Sequence, residues 1–317
     1  MQIVFMGTPD FAVGILKAIY ESQYNISAVI TAPDKPAGRG KKIKESAVKK
    51  YAVEHELPVL QPTNLKSPDF IRELSLIKAD LFIVVAFRML PEVVWSMPPR
   101  GTVNLHASLL PDYRGAAPIN WAIINGETKT GVTTFFIEKD IDTGKIIKQK
   151  EVDIFPEDTA GDLHDRLMVK GAMLVLKTIG DIERNTVKPV DQTHLLANHA
   201  RLNPAPKIQK NDCKIRWNEP AQNVYNFIRG LSPFPSAWTI MLQDDREIQF
   251  KILKVSNIDD ATDHNPGRIE TDGKNFLNVF ARVGKLQVLE LQQEGKKRMK
   301  TVDFLRGFRF TGNERCI

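Results

Sequence analysis

The sequence predicts an α/β chain in which a doubly wound, mostly parallel sheet is followed by a small unit rich in β-strands. Three observations predict it. Short apolar runs at 2–5, 26–30, 81–86 and 103–106 alternate with helix-like stretches, the order expected of parallel strands joined by crossover helices. Beyond residue 206 the pattern changes to closely spaced alternating segments at 237–242, 248–255, 275–281 and 286–291, preceded by one helix at 221–230. Between these regions, residues 186–206 hold two histidines and three prolines without sustained periodicity, as a connector does.

Each element follows from local signals. Residues 2–5 lack the basic flank and long apolar stretch of a signal peptide and are expected to form a first buried strand. Asp10 is placed to cap a helix over 10–20 and Ser46 one over 46–54; Pro91 opens another after the 81–86 strand. β-Branched and aromatic residues at 130–136 and 145–155 flank the turn-like Asp140-Ile141-Asp142-Thr143-Gly144, predicting an antiparallel pair at the sheet edge. An amphipathic helix over 159–180, with Leu163, Leu167, Ala172 and Leu174 facing inward, closes the first domain. The expected division is 1–185, a connector at 186–206, and 207–317, a possible barrel in which Trp217, Phe234 and Trp238 are core aromatics.

Composition narrows the class. Hydrophobic residues at 42% and charged residues at 26% are the balance of a water-soluble globular chain. No apolar run approaches the roughly 20 residues of a bilayer span, so no membrane role is expected. Cys213 and Cys316 are far apart and lack partners at metal-ligand spacing, which argues against a disulfide framework or a zinc site and fits a reducing cytoplasm. The net charge of +6 is uneven: 25 Lys+Arg face 24 Asp+Glu through Pro206, and 19 face 14 after it. A basic second region suits a polyanionic partner, although modest excess charge also serves solubility. The Gly7-Thr8-Pro9 turn lacks the dinucleotide fingerprint, since Pro9 and Ala12 stand where its second and third glycines belong.

The most specific stretch runs from Asn104 to Pro118, reading Asn-Leu-His-Ala-Ser-Leu-Leu-Pro-Asp-Tyr-Arg-Gly-Ala-Ala-Pro. It places Asn104 and His106 on one face at the C-terminal end of a predicted parallel strand, the edge where open α/β sheets bind ligands. An isolated Asn-x-His in that position more often satisfies loop backbone. Asp140, Asp142 and Glu151 match part of a calcium-loop spacing, but Lys145 replaces the required glycine and the flanks are strands. A turn carboxylate is the plain alternative for Asp142. Ser108 lacks the nucleophile elbow. No motif surrounds His55, His164, His194 or His199.

The run Asn104-x-His106-x-Ser108-Leu109-Leu110-Pro111 resembles the signature of enzymes that transfer formyl groups from 10-formyltetrahydrofolate. The following Arg114-Gly115-Ala116-Ala117-Pro118 is similar to the branch of that family whose acceptor is methionyl-initiator tRNA. The likeness extends from Phe5-Met6-Gly7-Thr8-Pro9-Asp10-Phe11-Ala12 to Gly295-Lys296-Lys297-Arg298-Met299 and Phe304-Leu305-Arg306-Gly307. It implies a Rossmann-like catalytic domain and an oligonucleotide-binding-like (OB-like) barrel. It also implies that Asn104, His106 and Asp142 are the catalytic trio and that Ser108, Leu109, Leu110 and Pro111 bind folate mostly through backbone. Residues 85–91 match a loop beside the pteridine, with Phe87 and Arg88 in place of the commoner Tyr-Gly. For tRNA the resemblance implicates the basic loop 34–44, with Arg39 at the acceptor end and Lys41 and Lys42 on phosphates. Lys207, Lys210 and the 296–300 cations belong to the same expectation. Formyltetrahydrofolate is then a co-substrate, no metal is implied, and a monomer is expected.

The chemistry asks for such side chains. An amine attacking a formamide-like carbon creates an oxyanion, an ammonium and a leaving nitrogen that needs a proton. Asn104 donates to the oxyanion, protonated His106 adds a second donor, and Asp142 orients and charge-balances His106; the amine proton goes to Asp142, directly or through water, or to His106. Two other readings remain: a formyltransferase acting on an amino-sugar nucleotide or glycinamide ribonucleotide, and a non-catalytic RNA-binding module. The basic loop and the 114–118 run oppose the first, the complete trio the second.

Overall fold

The computed structural model describes residues 1–37, 42–196, 202–244, 246–263 and 265–317. Its first sheet is built from β1 (Gln2–Gly7), β2 (Asn25–Ile30), β5 (Val59–Leu60), β6 (Leu81–Val85), β7 (Thr102–His106), β8 (Lys129–Phe136) and β9 (Ile146–Asp153), in the order β5-β2-β1-β6-β7-β8-β9. The five strands from β5 to β7 are parallel, and β8 runs antiparallel to β7. The chain winds outward from β1 through β2 to β5 and in the other direction from β6, so the switch point lies between β1 and β6.

Both faces of the central strands are buried, which is why they read as continuous apolar runs. On one face Val4, Met6, Ala28, Ile30, Phe82 and Val84 pack with Phe70 and Leu74 of α3 (Pro68–Leu76) and Val94 of α4 (Glu92–Trp95). On the other, α1 (Asp10–Tyr20) lies on β1, and α6 (Ala160–Glu183) brings Gly171 against Leu105. Leu163, Leu167 and Leu174 are buried as expected, while Ala172 is half-buried. Ser46 caps α2 (Ala47–Glu54) by accepting from the Lys49 amide at 3.0 Å. Pro9 occupies the N-cap of α1, and Asp10, expected there, is instead its first helical residue. A short ribbon of β3 (Lys35–Ala37) and β4 (Lys42–Lys44), which the sequence did not announce, closes the base of the basic loop.

The second sheet contains β10 (Ala237–Gln243), β11 (Arg246–Asp263), β12 (Ile269–Thr271), β13 (Leu277–Phe280), β14 (Val283–Gln293) and β16 (Arg315–Cys316), in the order β12-β13-β14-β11-β10-β16, with β15 (Met299–Lys300) on β14. All its pairings are antiparallel, and a bridge between Arg268 and Arg315 joins its two ends into a nearly closed barrel. At that seam Gly267 accepts from the Cys316 amide at 2.8 Å and donates to Phe280 at 2.8 Å. Its φ is +82°, and an added Cβ would lie 2.0 Å from the Cys316 carbonyl oxygen, so glycine alone fits.

Helix α8 (Ala221–Gly230) covers the barrel core with Val224 and Ile228, and Phe304 of α9 (Thr301–Gly307) stacks on Phe308 at 4.7 Å. Trp217 is buried and donates to Thr239 at 3.0 Å; Trp238 is partly buried beside the same core. Phe234 corrects the expectation of a core aromatic: it is 81% exposed, because it belongs to the turn after α8 and no strand alternation directs it inward.

The compact units do not follow one cut in the sequence. One comprises 1–115, 130–152 and 164–204; the other comprises 116–129, 153–163 and 205–317. Helix α5 (Pro118–Ile124) thus belongs with α8, to which Asn120 donates at the Gly230 carbonyl, 2.7 Å away. Within the same unit, buried Arg229 donates to the Asp158 carbonyl at 3.0 Å and Tyr225 to that of Pro156 at 3.2 Å.

Candidate active site

Strand alternation carries the Asn104 and His106 side chains to the same face of β7, and His106 is the last residue of that strand. His106 is 6% exposed. Its Nε2 lies 2.8 Å from the Tyr113 carbonyl oxygen, which can only accept, so Nε2 carries a hydrogen. Nδ1 then faces the Asp142 carboxylate, with Oδ2 at 3.7 Å. The ring therefore lies between a carbonyl that it bonds through Nε2 and a carboxylate that faces Nδ1 within ion-pair distance. The Asn104 amide has no hydrogen-bond partner among the described residues, which leaves a donor beside the imidazole for an incoming oxygen.

Asp142 is held on several sides. Its Oδ2 accepts from the Gly115 amide at 3.0 Å. Its backbone has a φ of 55°, the left-handed region that costs a non-glycine residue about 1–3 kcal/mol. Tyr113, whose carbonyl meets His106, has a φ of 57°, and Ala86 at the end of β6 has one of 47°. Strained backbone thus accompanies the sheet edge where the predicted residues gather. Gln192 donates to the carbonyls of Asp142 and Gly144 at 2.9 and 2.8 Å, and accepts from Arg114. Burial lowers the Arg114 pKa from its ordinary value, and the negative charge of Asp142 opposes that shift.

The predicted folate segment is a turn built from its own bonds. Ser108 is fully buried and its hydroxyl donates to the Asp112 carbonyl at 2.6 Å. Thr133, paired with His106 across β7 and β8, donates to the Ser108 carbonyl at 2.7 Å and accepts from the Leu110 amide at 3.2 Å. Gln149 donates to the Leu110 carbonyl at 2.7 Å. Leu110 and Pro111 are buried, and Leu109 is the half-exposed member of the four.

In the loop after β6, Arg88 donates to the carbonyls of Thr63, at 2.9 Å, and Pro62, pinning this loop to the chain after β5. Burial pushes its guanidinium pKa down. The Phe87-Arg88 departure therefore has a structural occupation of its own.

The tRNA candidates do not form one cluster. Arg39 and Lys41 lie outside the described residues; Lys42 starts β4. Lys207 and Lys210 are exposed in the barrel unit. In the 296–300 cluster Arg298 is paired with Glu290, so its charge is partly spent within the protein. Sequence reasoning missed Thr133, Gln149, Gly115 and Gln192. Alternation from the edge strand could have flagged Thr133 as a residue turned to the same side as its partner His106. Nothing in the sequence flags Gln192.

Residues 1–179 match the family model described as Formyl transferase, and residues 207–309 match the one described as Formyl transferase, C-terminal domain. The chain is 54% identical over 312 residues to a methionyl-tRNA formyltransferase of Bacteroides thetaiotaomicron, covering 98% of this chain and 97% of that one. It is 50% identical over 311 residues to a methionyl-tRNA formyltransferase of Flavobacterium johnsoniae, again covering 98% and 97%. Among solved structures it resembles the sugar 3N-formyl transferase WlaRD, with a TM-score of 0.65, 21% identity and coverage of 94% and 99%. It also resembles HypX from Aquifex aeolicus, with a TM-score of 0.64, 17% identity and coverage of 98% and 48%.

Proposed function

The chain belongs to the formyl transferase family, and we propose that it moves the formyl group of 10-formyltetrahydrofolate onto the α-amine of methionyl-initiator tRNA, giving N-formylmethionyl-tRNA for translation initiation. One observation carries the choice of acceptor: 50–54% identity to methionyl-tRNA formyltransferases over nearly the whole chain, both compact units included. Resemblance to sugar formyltransferases is at 21% identity and speaks for the fold alone.

Asn104, His106 and Asp142 act together in this reading. The unpartnered Asn104 amide receives the formyl oxygen and stabilises it as charge develops; losing such a donor typically costs about 10²–10³ in rate. His106, its Nε2–H held by the Tyr113 carbonyl, stands with Nδ1 facing Asp142, and this pair takes up the amine proton and passes it to the folate nitrogen that leaves. The 108–111 turn offers Leu109 to the donor and fixes the end of β7 through Thr133. Its hydroxyl already bonded, Ser108 serves as a brace for the turn.

In this reading the unit built from 1–115, 130–152 and 164–204 carries the chemistry, and the barrel unit contacts tRNA, with exposed Lys207 and Lys210 meeting phosphates. Arg39, Lys41 and Lys42 extend the basic contact by charge. No helix among the described residues is long and apolar enough to cross a membrane. The proposed reaction on charged tRNA and folate is one that a cytoplasmic monomer can carry out.

The test supplies 10-formyltetrahydrofolate together with methionyl initiator tRNA, an amino-sugar nucleotide or glycinamide ribonucleotide, and reads formyl transfer by mass spectrometry. Formyl on the tRNA-linked methionine is the expected outcome. Transfer to a small acceptor alone would overturn the tRNA assignment, and no transfer from folded protein would favour a binding module.

A further inference from the structure

The 186–206 segment delivers a side chain to the centre of the site. Val190 is bridged to Ile146 of β9 by two backbone bonds of 2.8 Å. The Asp191 carboxylate accepts from the Thr193 amide at 2.9 Å and from its hydroxyl at 2.7 Å, fixing the start of α7 (Thr193–Leu196). Gln192 lies between these two anchors and is 2% exposed.

Its amide is fully used. Nε2 donates to the Asp142 carbonyl at 2.9 Å and to the Gly144 carbonyl at 2.8 Å. Oε1 accepts from Arg114 Nε at 3.1 Å and Nη2 at 2.5 Å. A primary amide has two N–H donors and an oxygen with two lone pairs, and here every one is occupied. A buried polar group satisfied in this way is rigid, and it transmits that rigidity to whatever it bonds.

We propose that Gln192 is a positioning residue for formyl transfer: it clamps the Asp142 turn and the Arg114 guanidinium together, and so holds the Asp142 carboxylate against His106. The inference rests on the reading of Asp142 and His106 as the working pair. The turn needs a clamp, because Asp142 occupies left-handed backbone and its relaxation would swing the carboxylate away from both His106 and the Gly115 amide. The clamp also has to be neutral. A carboxylate at position 192 would pair with Arg114, competing with Asp142 for its charge, and would set an oxygen against two carbonyl oxygens in place of the two N–H bonds.

Gln192→Glu tests the two donors and the neutrality of the clamp together. It keeps an acceptor for Arg114 while removing both donors to the turn. We expect kcat for formyl transfer to fall about tenfold or more, the scale of a small misplacement of a catalytic group. KM for formyltetrahydrofolate and for methionyl-tRNA should each stay within about twofold, because Gln192 acts through Asp142 and not on substrate. A second readout needs no turnover. The Gly115 amide donates to Asp142 Oδ2, so in ¹⁵N-labelled protein its resonance should shift and its hydrogen exchange quicken, while the amides of β1 stay unchanged. Should Gln192→Glu fail to fold, Gln192→Met removes the donors to the turn and the acceptor for Arg114 with no added charge, and the same fall in kcat and change at the Gly115 amide are expected. A folded variant with unchanged kcat and an unchanged Gly115 amide would overturn the proposal. Failure of the unsubstituted protein to formylate methionyl-tRNA would instead overturn the function, and the Gly115 signal would still decide the role of Gln192.

Discussion

The Asp142 turn and the Gly267 seam are both places where the backbone takes a positive φ, and they differ in what holds it there. At the seam the residue is glycine, the fixing bonds run backbone to backbone, and no side chain is asked to do anything. At the turn the residue is an aspartate, kept in place by the side chain of Gln192 and by the Gly115 amide. Glycine is the low-strain solution wherever only the path of the chain matters. Retaining an aspartate in left-handed backbone makes sense where the carboxylate itself is needed, and the surroundings then have to over-determine the conformation.

The sharpest way to break this contrast is to exchange the solutions. Asp142→Gly relieves the strain and removes the carboxylate, so we expect kcat to fall by about 10²–10⁴-fold while the melting temperature holds or rises. His106→Ala should show a comparable loss of rate with little change in tRNA affinity by filter binding. Retained turnover in either variant would return Asp142 to the status of an ordinary turn residue. The reciprocal change, Gly267→Ala, drives a Cβ into the Cys316 carbonyl and is expected to destabilise the barrel by at least about 1–3 kcal/mol, read from the urea midpoint. An unchanged midpoint would mean that the seam opens freely.

Two smaller effects probe the barrel further. Lys207→Ala and Lys210→Ala should each reduce the salt slope of tRNA binding by about one, leaving single-turnover formyl transfer intact. Salt slopes equal to the parent's would remove these lysines from the interface. The least change is expected at the thiols. Burial pushes the Cys316 thiol up to about 12 and raises that of Cys213, so both stay protonated and unreactive. Mass spectrometry should find neither alkylated by iodoacetamide at pH 8 until denaturant is added, whereas rapid labelling of Cys316 in folded protein would contradict a closed seam.

Legibility in the sequence follows the same contrast. Strands β1, β2, β6 and β7 could be read because burial on both faces writes uninterrupted apolar runs, and α8 because its ends are marked by Pro220 and Gly230. The two-residue β5 and the β3-β4 ribbon were not, since segments so short carry no periodicity. Asn104, His106 and Asp142 are expected at the site only through the resemblance of the surrounding run to a known family, since an isolated Asn-x-His or a turn aspartate fits a loop role as well. Gln192 could not be picked out, because it binds backbone carbonyls, and any residue supplies those. Its partner turn is also 48–50 positions away. Phe234 misled because aromatic content predicts burial only where alternation also says which way a residue points.

The interleaving of the two compact units has a consequence for how this chain is made. Residues 116–129 and 153–163 leave the ribosome well before 205–317, the segment that completes their unit. Helix α5 and the strip around Pro156 and Asp158 therefore emerge with their packing partners still unsynthesised, while the unit carrying His106 is complete once Pro204 has appeared. During vectorial synthesis Ile124 of α5, which packs on the barrel core beside Gly230, awaits α8 for about a hundred residues of elongation, on the order of several seconds or more. That interval is when a nascent chain of this architecture has most to gain from a chaperone.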